Sequence, residues 1–275
     1  PTATPRPTDT PAPTEMPIPQ APISPNAITP ANAGRLQTVL RLAERRGIVY
    51  GVAISPDGAQ VATASADGLV RLWDAGTGDL LHTLERHRDW VYTVAYSPDG
   101  ARLVSGSRDY TVQVWDPATG ERIAGARTSG EVFRVAFSPD GARFAAVGYY
   151  SAIGQVWDAA TGGALFTLEG HTTRLRSVAY SPDGLTLATA DKDGWILLRE
   201  AASGQPYAQI GDASNGGVIT LAFSPDGAVL AAGAERGQIR LWDVADRAVI
   251  ASWDAHSGAV WGLAYTPDGG LLISG

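Results

Sequence analysis

The tetrapeptide Ser-Pro-Asp-Gly recurs at Ser55–Gly58, Ser97–Gly100, Ser138–Gly141, Ser181–Gly184 and Ser224–Gly227, and Thr266–Gly269 is a sixth variant. Successive aspartates of this motif stand 42, 41, 43, 43 and 42 residues apart. A Trp-Asp pair follows at Trp73-Asp74, Trp115-Asp116, Trp157-Asp158 and Trp242-Asp243, while the fourth unit carries Arg199-Glu200 there. Self-similarity at this period means one supersecondary unit stacked on copies of itself, because a single unit cannot bury its own apolar face.

Each unit reads as four short strands. In the second they are expected over Val91–Ser97, Arg102–Ser107, Thr111–Asp116 and Arg122–Arg127, all rich in β-branched or aromatic residues and bounded by turn signals. In Ser97-Pro98-Asp99-Gly100, proline presets φ, aspartate suits the next turn position and glycine accepts the left-handed conformation that closes the hairpin. Asp99 and its equivalents are therefore turn formers, not candidate acids. Asp116–Gly120 and Asp158–Gly162 supply a second turn by similar chemistry. Four-stranded units of this length stack radially, so the fold class is all-β, a β-propeller of four-stranded blades, with five complete blades and a truncated sixth.

Period, turn and Trp-Asp pair agree over about residues 36–275, and this region resembles the WD-repeat family. The domain reading is a linker over 1–34 and a propeller over 35–275. The resemblance implies that Leu36–Leu42 is an outer strand that completes the last blade, and that the intact ring has seven blades. By the repeat length, roughly 60 residues would then follow Gly275. It also implies that His87, Ser105, Asp109 and Trp115 form a structural tetrad running from indole to hydroxyl to imidazole to carboxylate. The same four positions imitate a catalytic triad, but no strand-turn-helix elbow of the Gly-x-Ser-x-Gly kind accompanies them. The set degrades among units. The fourth has His171, Thr189, Asp193 and Arg199, and the first has Arg45, Thr63, Asp67 and Trp73. The third places Ser151 and the fifth Arg236 at the aspartate position, and His256 and Ser274 begin a further set.

Carried onto this chain, the family's rim positions give Ile48, Trp90, Glu131, Arg174, Gly217 and Ala259 in one set and Tyr50, Tyr92, Phe133, Arg176, Ile219 and Trp261 in another. A third set is Ala66, Arg108, Tyr150, Lys192 and Glu235. The partner-binding face is expected at Tyr50, Trp90, Tyr92, Arg108, Phe133, Tyr150, Arg174, Arg176, Lys192 and Trp261. Aromatic and arginine side chains carry most interface energy. Arg174, Arg176 and Lys192 fall in one unit, which suggests a positive patch and an acidic or phosphorylated peptide as ligand. The alternative is that the aromatics wall the channel or pack on neighbouring blades and that the cations are ordinary solvated surface.

Other chemistry is thin. Asp191-Lys192-Asp193-Gly194 starts like a calcium loop, but Ala202 stands where a bidentate glutamate belongs. Three of the four histidines, His87, His171 and His256, share one repeat position, with His82 elsewhere, so they should lie on different blades. No catalytic residue, cofactor or metal site is expected. A net charge of −7 argues against nucleic acid as partner, and no run of about 18 apolar residues is present to span a bilayer.

Residues 1–34 hold 10 of the 18 prolines and six threonines, a composition that favours a disordered, semi-rigid spacer. Lys192 is the only lysine among 21 basic residues, and cysteine is absent. These biases suggest a bacterial source and an extracytoplasmic or surface-tethered location, with a cytoplasmic one as the alternative. The expected function is a non-enzymatic scaffold for protein or peptide partners. A ligand-sensing or docking module of a larger bacterial signalling protein, for example one with a kinase domain, is the competing reading, and a propeller enzyme a third.

Overall fold

The computed structural model describes residues 47–213 and 216–275. The spacer at 1–34, the strand read at Leu36–Leu42 and Arg45 lie outside the described residues. What is described is built of antiparallel strands. The first blade is β1 (Val49–Ile54), β2 (Gln60–Ser65), β3 (Leu69–Asp74) and β4 (Leu80–Glu85). The second is β5 (Val91–Tyr96), β6 (Leu103–Ser107), β7 (Thr111–Trp115) and β8 (Arg122–Arg127). The third is β9 (Glu131–Phe137), β10 (Arg143–Tyr149), β11 (Gly154–Asp158) and β12 (Ala164–Leu168). The fourth is β13 (Leu175–Tyr180), β14 (Thr186–Asp191), β15 (Trp195–Glu200) and β16 (Pro206–Gly211). The fifth is β17 (Val218–Phe223), β18 (Val229–Ala234), β19 (Gln238–Asp243) and β20 (Val249–Asp254), and the sixth holds β21 (Leu263–Tyr265) and β22 (Leu272–Ser274). Within each sheet the strands pair in chain order, and successive blades pack through their first strands. The all-β fold of four-stranded propeller blades is the one the repeat dictates.

The turn motif closes β1 onto β2 and its equivalents as its chemistry requires. Gly58 sits at φ +72 and Gly100 at +71, the left-handed region open to glycine. The Gly100 N–H donates to the Ser97 carbonyl at 2.9 Å, and the Ser97 hydroxyl donates to Asp99 while accepting the Arg102 N–H at 2.9 Å. The Ser97 hydroxyl, then the Ala101 N–H, hold the Asp99 carboxyl below its ordinary range.

The cores lie between blades. Trp115 and Leu103 of the second blade pack with Leu72, Val70 and Leu84 of the first, and Trp157 and Phe144 of the third pack with Val104, Val112 and Val114 of the second. Phe144 and Trp157 stack at 5.3 Å. The second strands are covered on both faces, which is why they are rich in alanine and glycine. A Cβ on Gly106 would lie 2.2 Å from Val132 of the next blade. The fourth strands run at the periphery and are largely exposed: only Leu84 of Leu80–Glu85 is buried, and no residue of Arg122–Arg127 or Val249–Asp254 is.

One irregularity repeats in all five complete blades. The ladder between first and second strand slips at Val49/Gly51, Val91/Thr93, Val147/Gly148, Leu175/Ser177 and Val218/Thr220. The residues left unpaired on the first strands are Tyr50, Tyr92, Phe133, Arg176 and Ile219. A bulge bends the strand and re-aims the extra side chain, so each first strand presents one residue out of register with its ladder.

Candidate functional site

Three of the bulged residues, Tyr50, Tyr92 and Phe133, meet at one mouth of the assembly. Tyr50 and Tyr92 lie 5.2 Å apart edge to face, Trp90 is 5.6 Å from Tyr50, and Tyr92 is 5.7 Å from Phe133. Phe133 continues the series to Tyr149 at 4.8 Å and to Trp261 of the sixth blade at 6.3 Å. These rings, with Tyr150, line a concavity of about 1080 Å³. Edge-to-face pairs at such spacings add roughly 0.5–1.5 kcal/mol each beyond burial, which holds the aromatic wall in shape before anything binds. Trp261 is 54% exposed and Trp90 39%. Tyr150 is 74% exposed on a left-handed backbone at φ +66, an arrangement a non-glycine residue adopts at a cost.

Charge is arranged in pairs around this wall. The Arg108 guanidinium lies 4.9 Å over the Trp90 ring, 3.3 Å from Glu131 and 3.8 Å from Asp89. Glu131 also accepts the Tyr92 hydroxyl at 3.4 Å. Burial, then the Glu131 charge, push the Tyr92 phenol up to about 12. In the fourth blade, Arg174 stacks 4.8 Å over Tyr149. Arg176 is only 3% exposed and makes a 2.6 Å ion pair with Glu235 of the fifth blade. Burial opposes ionisation of Glu235, but the hydrogen bond and charge of Arg176 outweigh it and hold the carboxyl below its ordinary range. Lys192 is not part of the lining of the concavity and lies 3.5 Å from Asp193. The structure thus gathers Tyr50, Trp90, Tyr92, Arg108, Phe133, Tyr150 and Trp261 in one place, sets Arg174 and Arg176 behind Tyr149, and leaves Lys192 apart.

Two residues of the site escaped the repeat columns. Tyr149 is the ring that joins Phe133 to the fourth-blade arginines. Arg134 lines the concavity and donates from Nη2 to the Trp261 carbonyl across it. Its equivalents in the other blades are Gly51, Thr93, Ser177, Thr220 and Gly262. A lone large cation in a column of small residues was the available signal.

The second blade's network runs through buried atoms. The Trp115 Nε1–H donates to Ser105 Oγ at 2.9 Å, Ser105 Oγ and His87 Nε2 are 2.8 Å apart, and His87 Nδ1 lies 3.1 Å from Asp109. The pattern assigns the Nδ1–H tautomer, with the serine hydroxyl donating to Nε2. Burial resists ionisation of Asp109, yet hydrogen bonds from His87, Thr111 and the Arg88 N–H hold its carboxyl well below the usual range. Ser105 is fully buried with its oxygen committed to two bonds, so it presents no nucleophile to a substrate.

The other blades vary this theme. In the fourth, the carboxylate that meets His171 is Asp191, at 2.7 Å, and not Asp193. β14 runs through Asp191, whose other oxygen accepts the N–H groups of Asp193 and Trp195 and closes the turn. Asp191 is therefore spent internally, which also removes it as the first ligand of a calcium loop. Arg199 replaces the tryptophan and donates from Nε to Thr189 at 2.9 Å and from Nη1 to the Gly204 carbonyl. Burial lowers its pKa to about 10, which leaves it cationic at neutral pH. In the first blade Trp73 donates to Thr63 at 3.0 Å, while Asp67 pairs with Arg71 at 2.6 Å. In the fifth, Ala232 takes the hydroxyl position and Trp242 Nε1 is buried without an acceptor. In the third, Thr128, Val147 and Ser151 take the network positions, and all three line a cavity of about 210 Å³ beside Trp157.

Among the described residues, no three His, Asp or Glu side chains are grouped to hold a metal ion, and no helix is long and apolar enough to cross a membrane.

Comparison with known proteins agrees with this architecture. Residues 36–74, 78–116 and 162–198 match the model of the WD domain, G-beta repeat, and residues 209–268 match that of the anaphase-promoting complex subunit 4 WD40 domain. Coronin-7 of Mus musculus is 38% identical over 68 residues, 25% of this chain and 7% of that protein. WD repeat-containing protein 1 of Gallus gallus is 28% identical over 91 residues, 32% of this chain and 15% of that protein. WD repeat-containing protein SL1-17 of Schistosoma mansoni is 31% identical over 157 residues, 57% of this chain and 52% of that protein. The chain thus spans about half or less of each of these relatives. They are eukaryotic and lend no support to a bacterial source. The two WD40-type models, matched over four segments, and the WD-repeat relatives together support placing this chain in the WD40 repeat family.

Proposed function

We propose that the chain is a non-enzymatic platform that binds protein or peptide partners at the aromatic mouth of the propeller. The observation that carries this reading is the concavity of about 1080 Å³ walled by tyrosine, tryptophan and phenylalanine from four blades. Rigid aromatics that remain exposed are the anchors on which interfaces concentrate their energy. WD40 domains bind proteins, and the relatives are WD-repeat proteins by name, which supports a scaffold role without naming a partner. An acidic segment of the partner fits the mouth better than a basic one, because the one acidic side chain that lines it among the described residues, Glu131, is already held by Arg108. The Pro/Thr-rich composition of 1–34 supports a platform held away from its attachment point, and the extracytoplasmic placement in a bacterium rests on composition alone.

The test is selection of peptides from a phage-displayed 12-residue library on the immobilised chain, followed by measurement against Trp90→Ala/Trp261→Ala. The expected outcome is enriched peptides whose affinity falls at least tenfold in the double variant. Enriched peptides that bind both proteins equally would place the partner surface elsewhere.

A further inference from the structure

Three charged side chains line the aromatic concavity: Arg108, Glu131 and Arg134. The first two neutralise each other at 3.3 Å. Arg134 has no such counterpart. No carboxylate among the described residues pairs with it, its Nε is buried without an acceptor, and its Nη2 is satisfied only by a neutral carbonyl, that of Trp261. Its Nη1 carries no hydrogen bond to a described residue. Burial lowers its pKa, as expected of a partly buried cation given no counter-charge. Its guanidinium carbon lies 5.7 Å from the centre of the Phe133 ring, which supplies only a weak negative face. In a chain of net charge −7, an uncompensated guanidinium held inside an aromatic cup is out of keeping with its surroundings.

We infer that Arg134 is the anchor for a carboxylate of the partner peptide, an aspartate or glutamate flanked by aromatic or large apolar residues that lie against Phe133 and Trp261. This rests on the reading of the mouth as a peptide-binding face and adds the chemistry it selects. A single guanidinium suits a monoanion. A phosphate dianion would face Glu131 in the same cup with no second free cation, since Arg108 is committed. The neutral surroundings give the ion pair its selectivity, because a partly desolvated guanidinium gains more from a charged acceptor than from an amide of the same shape.

The experiment uses the whole 275-residue chain and four probes that contain no tryptophan: acetyl-Ala-Phe-Asp-Phe-Ala-amide, its Asn and Lys counterparts, and phenylacetate. Quenching of Trp90 and Trp261 reports occupancy. The Asp peptide should bind at least tenfold more tightly than the Asn peptide, and the Lys peptide more weakly than either. In Arg134→Gln the Asp and Asn peptides should bind within twofold of each other, with the Asn peptide as tight as before, and Arg134→Lys should keep part of the preference. Equal binding of Asp and Asn peptides to the native chain, a result that needs no variant to fold, would overturn the role of Arg134 while leaving the peptide face standing. Preference for Asp that survives in Arg134→Gln would overturn it too. Phenylacetate binding as tightly as the Asp peptide would overturn the peptide as source in favour of a small carboxylate. Failure of every peptide to bind would sink both the inference and the face on which it rests.

Discussion

Ser105 and Ala232 occupy the same position in two blades, and exchanging their side chains tests the hydrogen-bond account of the network. Ser105→Ala removes the oxygen that accepts the Trp115 indole N–H at 2.9 Å and faces His87 Nε2 at 2.8 Å. Both groups are left buried with no partner, and the hole is that of a single hydroxyl, too small for a water to stand in. A buried polar group left unmatched costs about 1–3 kcal/mol, so two of them in one place should cost about 2–4 kcal/mol. Ala232→Ser runs the other way. Trp242 Nε1 is already buried without an acceptor, and β18 pairs Ala232 with Arg240 in the register in which β6 pairs Ser105 with Gln113. The new hydroxyl therefore arrives ten residues before its indole, as Thr63 does before Trp73 at 3.0 Å. The penalty of burying the indole has already been incurred, so the gain should be about 0.5–1.5 kcal/mol, or roughly 2–4 °C per kcal/mol in a chain of this size. Scanning calorimetry and urea unfolding give the stabilities, and the Trp242 indole N–H proton in an NMR spectrum should move downfield. An unshifted indole resonance with unchanged melting in Ala232→Ser would refute the reasoning, since nothing else about that site is altered.

Three further outcomes follow from particular contacts. Gly148→Ala should prevent folding, because its Cβ would lie 1.4 Å from the Glu131 carbonyl oxygen, whereas Gly258→Ala, with open space around it, should melt within about 0.5 kcal/mol of the native chain; soluble yield and calorimetry separate the two. Asp109 is held below its ordinary range in the folded state, so its contribution is present above the unfolded carboxyl's pKa, near 4, and is lost as pH falls below that towards the folded value. The melting temperature of Asp109→Asn should accordingly fall less steeply between pH 5 and pH 2 than that of the native chain, and parallel curves would show that the carboxylate gains nothing from its bonds. In the third blade, Thr128→His/Val147→Ser/Ser151→Asp should occupy the 210 Å³ cavity and restore the network beside Trp157, raising stability by about 1–2 kcal/mol in urea titration.

The blades were legible because their turns are local chemistry. Each Ser-Pro-Asp-Gly closes through its own hydroxyl, carboxylate and glycine φ, so the strands fell within one residue of the expected ends: Val91–Tyr96 for Val91–Ser97, Leu103–Ser107 for Arg102–Ser107, Thr111–Trp115 for Thr111–Asp116, and Arg122–Arg127 as expected. The network was legible only where alignment by position and alignment by geometry coincide. In the fourth unit they part: position points to Asp193, but the strand extends to Asp191 and hands that carboxylate to His171. Two aspartates two residues apart are equivalent in a repeat column. They differ only in which one ends the strand.

The mouth shows a deeper limit of reading one repeat at a time. Four of its aromatics, Tyr50, Tyr92, Phe133 and Trp261, are visible in sequence because they share one column, and the recurring bulge that frees Tyr50, Tyr92 and Phe133 from the ladder gives that column a physical cause. Its charges are not, because they are settled between columns and between blades. Arg176 looks like a free cation until Glu235, on the next blade, is placed 2.6 Å from it. Arg108 looks available until Glu131 and Asp89 close on it. Among the side chains that line the cup, once Arg108 and Glu131 are paired, the cation left over is one that no column had offered, Arg134, on the strand face where other blades keep glycine, serine or threonine. Small residues there let neighbouring first strands approach, as the 2.9 Å between a Cβ on Gly51 and the Tyr92 carbonyl shows. A guanidinium in that column has to reach out of the sheet and across the mouth, and that is where it meets the Trp261 carbonyl. The departure from the repeat and the one unpaired charge in the cup are thus the same residue, and specificity in a molecule built of near-identical units resides where one unit breaks the pattern.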